Sequence, residues 1–266
     1  MTEVIIVDDR ARAGALVADE IVRLVRRRAD AVLGLATGST PLPVYEALRP
    51  HAALLRDVRG FALDEYVGLP AGHPESYRAV IEREVITPLG LDASRVRIPG
   101  DDVPEIDDRA DESSIAAAGD RYEADLAAAG GVDLQLLGIG ATGHIGFNEP
   151  GSSFASRTRV KTLTEQTRLD NARFFASIDE VPLHCITQGL GTILDARHLV
   201  LLAFGDAKAE ALAAAVEGPV TSSLPGSAIQ LHGHVTVIVD EAAAARLRFA
   251  DYYRHAWAHK PSWQGL

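Results

Sequence analysis

Short apolar runs alternate with helical patterns along most of the chain, and this alternation constrains the fold more than any other feature. The first predicted strand is Val4–Val7. A helix follows it, because apolar residues recur at positions i, i+4, i+7 and i+8 from Val17 onward. The next strand is predicted at Ala31–Ala36, and Pro41 suits the first turn of a second helix.

The same alternation continues to the end of the chain. Further strands are predicted at Phe61–Leu63, Val96–Ile98, Val132–Leu137, Arg159–Leu163, His198–Phe204 and Val235–Val239. Further helices are predicted at Tyr77–Thr87, 109–129, 165–176, Asp206–Glu217 and about 241–257. Near-continuous apolar strands separated by helices predict an α/β fold. The expected architecture is an open, Rossmann-like one, with a largely parallel central sheet and helices on both faces.

Length and composition narrow the class of protein. A chain of 266 residues can form one large α/β domain, and no linker, repeat or low-complexity segment divides it, so residues 1–266 are expected to form a single domain. The net charge of −11 argues against nucleic acid as a partner. The only basic run, Arg26 to Arg28, suits the end of a helix.

Disulfides and membrane segments are not expected. Cys185 is the only cysteine, and its setting in LHCITQ predicts an inert core thiol. The N-terminus is a short apolar strand followed by acids, unlike a secretory signal. No apolar stretch approaches the roughly 18 residues that span a bilayer. The expected location is therefore the cytoplasm, with no membrane partner.

In parallel α/β sheets, ligands bind at the carboxyl ends of the strands, so the loops after strands are the first candidates for a site. The stretch LGLATGSTP places Thr37, Gly38, Ser39 and Thr40 between a strand and a helix. Exposed N–H groups and hydroxyls there favour a phosphate or a carboxylate. An ordinary helix cap by Ser or Thr is the alternative. No Gly-Lys-Ser/Thr follows, so this is not a Walker A loop.

A second loop, FALDEYVGLPAGHPESY, begins with an acid at the end of an apolar strand. Asp64 is expected to be partly desolvated there, which would raise its pKa and make it a stronger base. The alternative is that Asp64 caps the helix that begins near Tyr77, a role that Glu75 or Ser76 could also fill.

The third loop, GIGATGHIGFNEP, begins with the letters of a dinucleotide fingerprint. That fingerprint requires a helix directly after its glycines, but Gly146, Pro150 and Gly151 break any helix here, so NAD is not expected. His144 and Glu149 instead predict a proton shuttle, in which the carboxylate sets the tautomer of the imidazole. The alternative is a loop that these side chains merely stabilise. A metal site is not expected, because no third ligand is evident.

Two cations are candidates for holding an anion. Lys208 lies in the first turn of a predicted helix, where the helix dipole disfavours a cation unless an anion binds between them. Arg173 lies in TRLDNARFF on another predicted helix. Each alone suits a surface position, but together with the TGST loop they could surround one phosphate.

Several stretches together resemble one family. They are LGLATGSTP, LDEYVGLP, HPESY, GIGATGHIGFNEPGSSFASRTRVKTLT, TRLDNARFF, GDAKAEAL, AAAVEGP and SAIQLH. The chain resembles the glucosamine-6-phosphate deaminases, also called glucosamine-6-phosphate isomerases, over nearly its whole length. The pair DEYVGL and GHIGFNEP is highly specific. The related 6-phosphogluconolactonases share a fold and a phosphate loop but not both motifs.

The resemblance implies a cofactor-free enzyme with a small sugar phosphate as its substrate. Glucosamine 6-phosphate and water would give fructose 6-phosphate and ammonia. His144 matches the shuttle that opens the sugar ring, Glu149 tunes it, and Asp64 matches the base that moves the C2 proton to C1. The phosphate would be held by Thr37 to Thr40, Arg173 and Lys208.

The resemblance also implies an effector site. Some bacterial relatives are hexamers that N-acetylglucosamine 6-phosphate activates, and their effector residues match Ser152, Arg159 and Lys161. The C-terminal tyrosine of that site has no clear counterpart, because Tyr252 and Tyr253 are close to the aligned place but Arg254 competes for it. A polar loop and a strand edge are the alternative reading of these residues.

One position departs from the family pattern. Two residues before the shuttle histidine, relatives commonly carry an aspartate or an asparagine, whereas this chain has Thr142. A threonine cannot act as a carboxylate partner, so ring opening would rely on Glu149 and a hydroxyl, or the pH profile would differ.

Two other functions compete with the deaminase. A 6-phosphogluconolactonase would use His144 but should not need Asp64. A non-catalytic sugar-phosphate sensor would bind its ligand without turnover. The substitution Asp64→Asn separates the first alternative from the deaminase, and a turnover assay separates the second.

Overall fold

The computed structural model of the chain describes residues 2–70, 72–100, 112–261 and 263–266. Its strands are β1 (Thr2–Val7), β2 (Val32–Leu35), β3 (Arg59–Ala62), β4 (Asp64–Val67), β5 (Val96–Arg97), β6 (Leu134–Gly138), β7 (Arg159–Thr162), β8 (His184–Thr187), β9 (Leu199–Ala203) and β10 (Val235–Asp240). Its α-helices are α1 (Arg10–Arg27), α2 (Leu42–Leu48), α3 (Tyr77–Ile81), α4 (Thr87–Leu89), α5 (Glu112–Ala128), α6 (Glu165–Asn171), α7 (Leu190–Leu194), α8 (Ala209–Glu217) and α9 (Ala250–Ala258). A π-helical turn, Glu82–Ile86, joins α3 to α4.

Seven strands form the central sheet in the order β1-β10-β9-β6-β2-β3-β5. Every neighbouring pair in it is parallel, and helices flank the sheet. All four residues of β2 and all five of β9 are buried, which explains their uninterrupted apolar sequence. The predicted α/β fold with a largely parallel sheet is confirmed.

One hydrophobic core serves this sheet from end to end. It includes Val4 of β1 and Leu266 at the other end of the sequence. Helix α1 contributes its buried face, begins at the N-cap Asp9, which accepts a hydrogen bond from the Arg12 N–H (2.7 Å), and ends at the predicted basic run. Both ends of the chain therefore pack into the same core.

A second sheet was not predicted. Strands β4, β8 and β7 form a small antiparallel sheet in that order. It encloses its own apolar cluster, which contains Tyr66, Phe147, Leu163, Val181 and Cys185. The predicted strand near residue 159 therefore exists but lies outside the central sheet.

Cys185 is fully buried, as its sequence setting predicted. Burial, with the nearby charges of Asp64 and Glu149, raises the pKa of its thiol well above the usual value. A thiol that keeps its proton is a poor nucleophile, so the structure agrees with an inert core residue.

Several helix boundaries differ from the predictions. The last predicted helix, at about 241–257, is a 3₁₀ segment, Ala243–Arg246, followed by an extended Leu247 and then α9. The predicted helix over Asp206–Glu217 begins with a 3₁₀ turn and ends at Gly218 as expected. The predicted helix at 165–176 ends early, at Asn171, and continues as the 3₁₀ turn Ala172–Phe174. Residues 109–111 of another predicted helix lie outside the described residues.

Among the described residues, no helix combines the length and the apolar character that crossing a membrane requires.

Candidate functional site

Four adjacent parallel strands bring most of the predicted site residues to one edge of the sheet. In the order β9, β6, β2 and β3, the segments that directly follow these strands carry Lys208, His144, the Thr37–Thr40 loop and Asp64, which begins β4. Because the strands are parallel and neighbouring, their carboxyl ends lie side by side. The chemistry-bearing loops thus meet although they are distant in the sequence.

The loop after β6 holds its histidine in a tight turn. The Gly143 N–H donates to the Gly140 carbonyl (3.0 Å), and the Gly140 N–H donates to the His144 carbonyl (2.9 Å). A β-carbon on Gly140 would lie only 2.1–2.5 Å from atoms of the His144 ring. Glycine is therefore required here so that the imidazole can lie against the backbone. No helix follows these glycines, in agreement with the rejection of a dinucleotide site.

His144, Thr142 and Glu149 form a polar cluster. The Thr142 hydroxyl lies 2.8 Å from Nδ1 of His144 and donates to Oε2 of Glu149 at 3.4 Å. Nδ1 itself lies 3.6 Å from Oε2, which is too long for a direct hydrogen bond. The hydroxyl is therefore the closer partner of the ring.

Glu149 is almost fully buried, and its other oxygen is also satisfied. Oε1 accepts hydrogen bonds from the hydroxyls of Thr164 (3.1 Å) and Thr167 (2.5 Å). Burial alone would raise the pKa of Glu149, but the interactions with His144 and these hydroxyls lower it to about 2. Glu149 is thus an anion at neutral pH. Thr164 is also the N-cap of α6, so the carboxylate lies at the start of that helix.

Asp64 is the first residue of β4 and is 7% exposed. It is paired with Thr187 across the small sheet, and a β-carbon placed on Gly146 would lie 3.6 Å from its Oδ2. The carboxylate therefore lies next to the loop that carries His144. Burial, with a smaller effect of the Glu65 charge, raises the pKa of Asp64 to about 8.

Other residues cap the helix that follows Asp64. Glu65 accepts hydrogen bonds from the N–H groups of Tyr77 and Arg78, both at 2.8 Å, and the Ser76 hydroxyl accepts one from Ala79 N–H (3.2 Å). The capping alternative for Asp64 thus belongs to its neighbour Glu65, whose role the sequence did not reveal, and to Ser76.

The TGST loop does not use its hydroxyls to cap helix α2. The N-cap of α2 is Pro41, which makes no side-chain cap, so Ser39 and Thr40 do not cap that helix as the alternative interpretation required. Gly38 has a φ of +84° and open space around it. Thr37 shares a side-chain hydrogen bond with Tyr77. The loop is therefore shaped to leave room above its backbone.

A buried tyrosine fixes the point where this loop leaves the sheet. The Tyr45 hydroxyl donates to the Ala36 carbonyl (2.8 Å) and accepts from the Ala36 N–H (3.2 Å). One hydroxyl thus satisfies both backbone groups of the residue before Thr37. The sequence pattern showed Tyr45 only as a helix residue.

The two predicted cations lie close enough to influence each other. Burial lowers the pKa of Lys208, the nearby charge of Asp170 raises it and that of Arg173 lowers it. Arg173 is exposed and lies over the Phe174 ring at 4.7 Å. The structure thus brings α6 and the start of α8 together.

Two of the expected effector residues bond directly to the loop after β6. The Ser152 hydroxyl donates to the Glu149 carbonyl (2.7 Å), and Arg159 donates to the Asn148 side chain (2.9 Å). Lys161 follows Arg159 on the same side of β7, with its side chain partly exposed. The three residues therefore lie on neighbouring parts of the chain.

The residues near the C-terminus that the sequence placed beside the expected effector site make contacts within the chain. Arg254 pairs with Glu241 (2.6 Å) and with Asp251 (3.2 Å). Tyr252 is exposed, and Tyr253 packs against the core.

Within the described ranges, no group of three or more His, Cys, Asp or Glu side chains is arranged to hold a metal ion.

Comparison with known proteins shows which class of protein has this fold and these site loops. Residues 9–238 match the model of the family described as glucosamine-6-phosphate isomerases/6-phosphogluconolactonase. The chain belongs to this family of enzymes.

Within the family, the chain groups with the deaminases. Glucosamine-6-phosphate deaminases of Bifidobacterium longum and Streptomyces coelicolor are each 58% identical to it, over 100% and 99% of this chain and 100% of each relative. A solved structure of a monomeric glucosamine-6-phosphate deaminase is 39% identical, with a TM-score of 0.84, and covers 92% of this chain and 99% of its own. A 6-phosphogluconolactonase from Trypanosoma cruzi, 22% identical with a TM-score of 0.75 over 93% of this chain and 97% of its own, shares the fold.

Proposed function

We propose that the chain converts glucosamine 6-phosphate and water into fructose 6-phosphate and ammonia, as a step in the catabolism of amino sugars such as N-acetylglucosamine. The observation that carries this proposal is the pair of buried carboxylates at the loop of His144, of which Glu149 lies 3.6 Å from the imidazole and Asp64 lies next to Gly146. The pKa of Asp64 is raised to about 8, and that of Glu149 is lowered to about 2. Carboxylates with opposite shifts suit different roles in acid–base chemistry.

His144 opens the sugar ring. Its imidazole takes the proton from O1 of the pyranose and returns one to the ring oxygen, which leaves the open-chain aldehyde. Glu149 keeps its negative charge throughout and stabilises the imidazolium that forms in between.

Asp64 then moves a proton between two carbons. It removes the C2 proton while the ammonium group of the substrate supplies a proton to O1, which gives an enolamine, and it then delivers the C2 proton to C1. The product is the iminium ion of fructose 6-phosphate. Water adds to C2 and ammonia leaves. Asp64 acts in its ionised form in this step, and its raised pKa makes that form a stronger base than an ordinary carboxylate.

Phosphate binding orients the sugar for these transfers. Thr37, Gly38, Ser39 and Thr40 offer N–H groups and hydroxyls, and Lys208 and Arg173 add positive charge. A substrate phosphate offsets the repulsion between the two cations and favours the charged form of Lys208. Fixing the sugar at a distant group supplies the orientation that the proton transfers need.

Ammonia release from glucosamine 6-phosphate, without an added cofactor, tests the proposal. Asp64→Asn should reduce kcat by roughly 10²–10⁴-fold, because the amide cannot act as the base. Asp30→Asn, at an exposed position, is the matched control and should match the wild type. If the wild type releases no ammonia, the proposed activity is wrong, and hydrolysis of 6-phosphogluconolactone would then favour a lactonase.

We also propose that Ser152, Arg159 and Lys161 bind an anionic effector, such as N-acetylglucosamine 6-phosphate. Two of them already donate to groups of the loop between His144 and Glu149. An effector that drew on these donors would therefore change the restraints on that loop.

An activity titration with N-acetylglucosamine 6-phosphate tests the effector site. The half-saturating substrate concentration should fall as the effector is added, and Lys161→Gln should need more effector for the same change. If the activity of the wild type does not change as the effector is added, the proposed effector site is wrong. Light scattering on the same sample tests whether the chain forms a homo-oligomer. A single domain over residues 1–266 and a cytoplasmic location stay predictions.

A further inference from the structure

We propose that Thr142 is a positioning residue whose hydroxyl connects His144 to Glu149 and fixes the tautomer of the imidazole. The inference rests on the proposed function, in which His144 exchanges protons with the sugar. It extends that function by assigning a task to a neutral side chain that acts only through the histidine.

The donors and acceptors that each side chain offers set the direction of each hydrogen bond. Glu149 is ionised, because its pKa is about 2, so its oxygens only accept. The Thr142 hydroxyl has one proton, and Oε2 of Glu149, 3.4 Å away, can only accept it. The negative charge of Glu149 favours this direction for the hydroxyl proton. The hydroxyl oxygen then accepts at 2.8 Å, which assigns the proton between the two groups to Nδ1 of His144.

The consequence is a defined neutral tautomer. With the proton on Nδ1, the lone pair of the neutral imidazole lies on Nε2. Nε2 is then the atom that accepts the sugar proton. When it does, the new charge lies 3.6 Å from the Glu149 carboxylate, with the hydroxyl between them.

The backbone holds Thr142 in this place. The next residue, Gly143, has a φ of +77° and receives a hydrogen bond at its carbonyl from Gly226 N–H (2.7 Å). A β-carbon on Gly143 would lie 2.3 Å from the Leu224 side chain, so the turn packs closely against the segment from Leu224 to Gly226. The hydroxyl is therefore positioned before any substrate arrives.

Glu149 cannot replace this hydroxyl without moving. Its Oε1 is already held by Thr164 and Thr167. Removal of the Thr142 hydroxyl would leave Nδ1 with a carboxylate that is too distant for a good hydrogen bond. The ring would lose the group that selects its tautomer while keeping most of the electrostatic attraction.

Three substitutions test this task. Thr142→Ser keeps the hydroxyl and should stay within a few-fold of the wild type in kcat. Thr142→Val keeps the shape but not the hydroxyl, and should lose about 10–100-fold in kcat with a smaller change in KM, as is typical when a group that orients a functional side chain is removed. Thr142→Asp restores an acceptor with a negative charge. It should favour the protonated imidazole and move the acidic limb of the kcat/KM profile to higher pH.

The tautomer itself is measured by ¹⁵N NMR of the imidazole in the free protein, with His144→Gln used to assign the signal. The wild type and Thr142→Ser should carry the neutral-ring proton on Nδ1, and Thr142→Val should show a mixture or the other tautomer. A wild-type proton on Nε2, or a valine variant as active as the wild type, would overturn the proposal. Thermal unfolding shows whether the valine variant is folded.

The two proposals can fail separately. The tautomer is read without turnover, so an absence of ammonia release by the wild type would contradict the deaminase activity and leave the Nδ1 assignment measurable. Normal ammonia release with the opposite tautomer would contradict only the task assigned to Thr142.

Discussion

Asp64 and Glu149 are both buried carboxylates at one edge of the sheet, yet their environments shift the pKa in opposite directions. Glu149 receives hydroxyl hydrogen bonds on both oxygens, which favour its charged form. For Asp64, burial dominates and the adjacent Glu65 adds a like charge. The interaction with His144 and the hydroxyl donors lower the pKa of Glu149 despite its burial, whereas burial and the charge of Glu65 both raise the pKa of Asp64.

The pKa of Asp64 predicts how stability depends on pH. Between the unfolded value near 4 and the folded value of about 8, the folded protein binds a proton that the unfolded chain has lost, so stability falls as pH rises through this window. Asp64→Asn removes this effect. At pH 8–9, Asp64→Asn should therefore be more stable than the wild type by up to a few kcal/mol in the free energy of unfolding, and should unfold at a higher temperature. The difference should shrink toward pH 4.

Thermal unfolding of both proteins across pH 4 to 9 measures this difference. The exposed variant Asp30→Asn should follow the wild-type curve. A constant difference between Asp64→Asn and the wild type over the whole range would show that Asp64 has an ordinary pKa in the folded protein.

At the scale of elements, the exit of β2 shows how the sheet positions a loop. The strand ends at Leu35, and Ala36 is held by Tyr45, which lies nine positions later on α2. The tyrosine takes the place of a further strand partner. The loop beginning at Thr37 therefore starts from a fixed point.

Tyr45→Phe tests this arrangement. The substitution leaves the N–H and carbonyl of Ala36 without their buried partner, which should lower stability by about 1–3 kcal/mol. The KM for glucosamine 6-phosphate should rise several-fold, with a smaller change in kcat, because the loop is proposed to bind phosphate. Tyr252→Phe, at a site 66% exposed, is the control. An unchanged KM in the destabilised Tyr45→Phe protein would show that Tyr45 does not position the loop for substrate binding.

The elements that the sequence predicted are those with a strong hydrophobic period. The central strands are continuous apolar runs and were found with errors of a few residues. The strands β4 and β8 were missed because DEYV and HCIT are short and mixed in polarity, and only Leu63 separates β3 from β4. Their pairing is antiparallel and distant in sequence, so no local pattern predicts it.

The residues of the candidate site also divide into those that the sequence predicts and those that it does not. The residues in loops after strands could be predicted, because a parallel sheet brings such loops together. The partners Thr164 and Thr167 could not, since they lie near the start of α6, where Thr164 reads as an ordinary cap. The bond from Arg159 to Asn148 depends on the small sheet, which the sequence did not reveal.

At the scale of the whole molecule, charged residues at one end of the central sheet belong to the candidate site, whereas those at the other end hold strands together. Asp133 lies just before β6, at the amino ends of the strands. It accepts hydrogen bonds from Val32 N–H (2.8 Å), Arg28 (3.0 Å) and Arg197 (3.1 Å). Asp133 is buried, Arg28 is partly exposed and Arg197 is exposed. Their contacts hold β2 and β6 together on the end opposite the candidate site.

Asp133→Asn should therefore act on stability alone. Removing the charge of Asp133 weakens its ion pairs with two arginines that are open to solvent, which should lower the free energy of unfolding by about 1–3 kcal/mol. Below the unfolding transition, kcat and KM should stay within about twofold of the wild type. Denaturant unfolding and the ammonia assay on one preparation measure both. A large loss of kcat in the folded variant would show that the two ends of the sheet are coupled.

Glu149 connects two parts of the molecule, since its carboxylate contacts Thr142 on one side and the first turn of α6 on the other. That helix leads to Arg173. A substitution of Glu149 would remove a charge from beside the histidine and would also release the start of a helix that leads toward the proposed phosphate site. Its kinetic effect would therefore be the sum of a chemical change and a geometric one, and would overstate the worth of the carboxylate as a proton-transfer partner. Only a thermodynamic cycle that pairs Glu149 with Thr167 can divide that sum into its two parts.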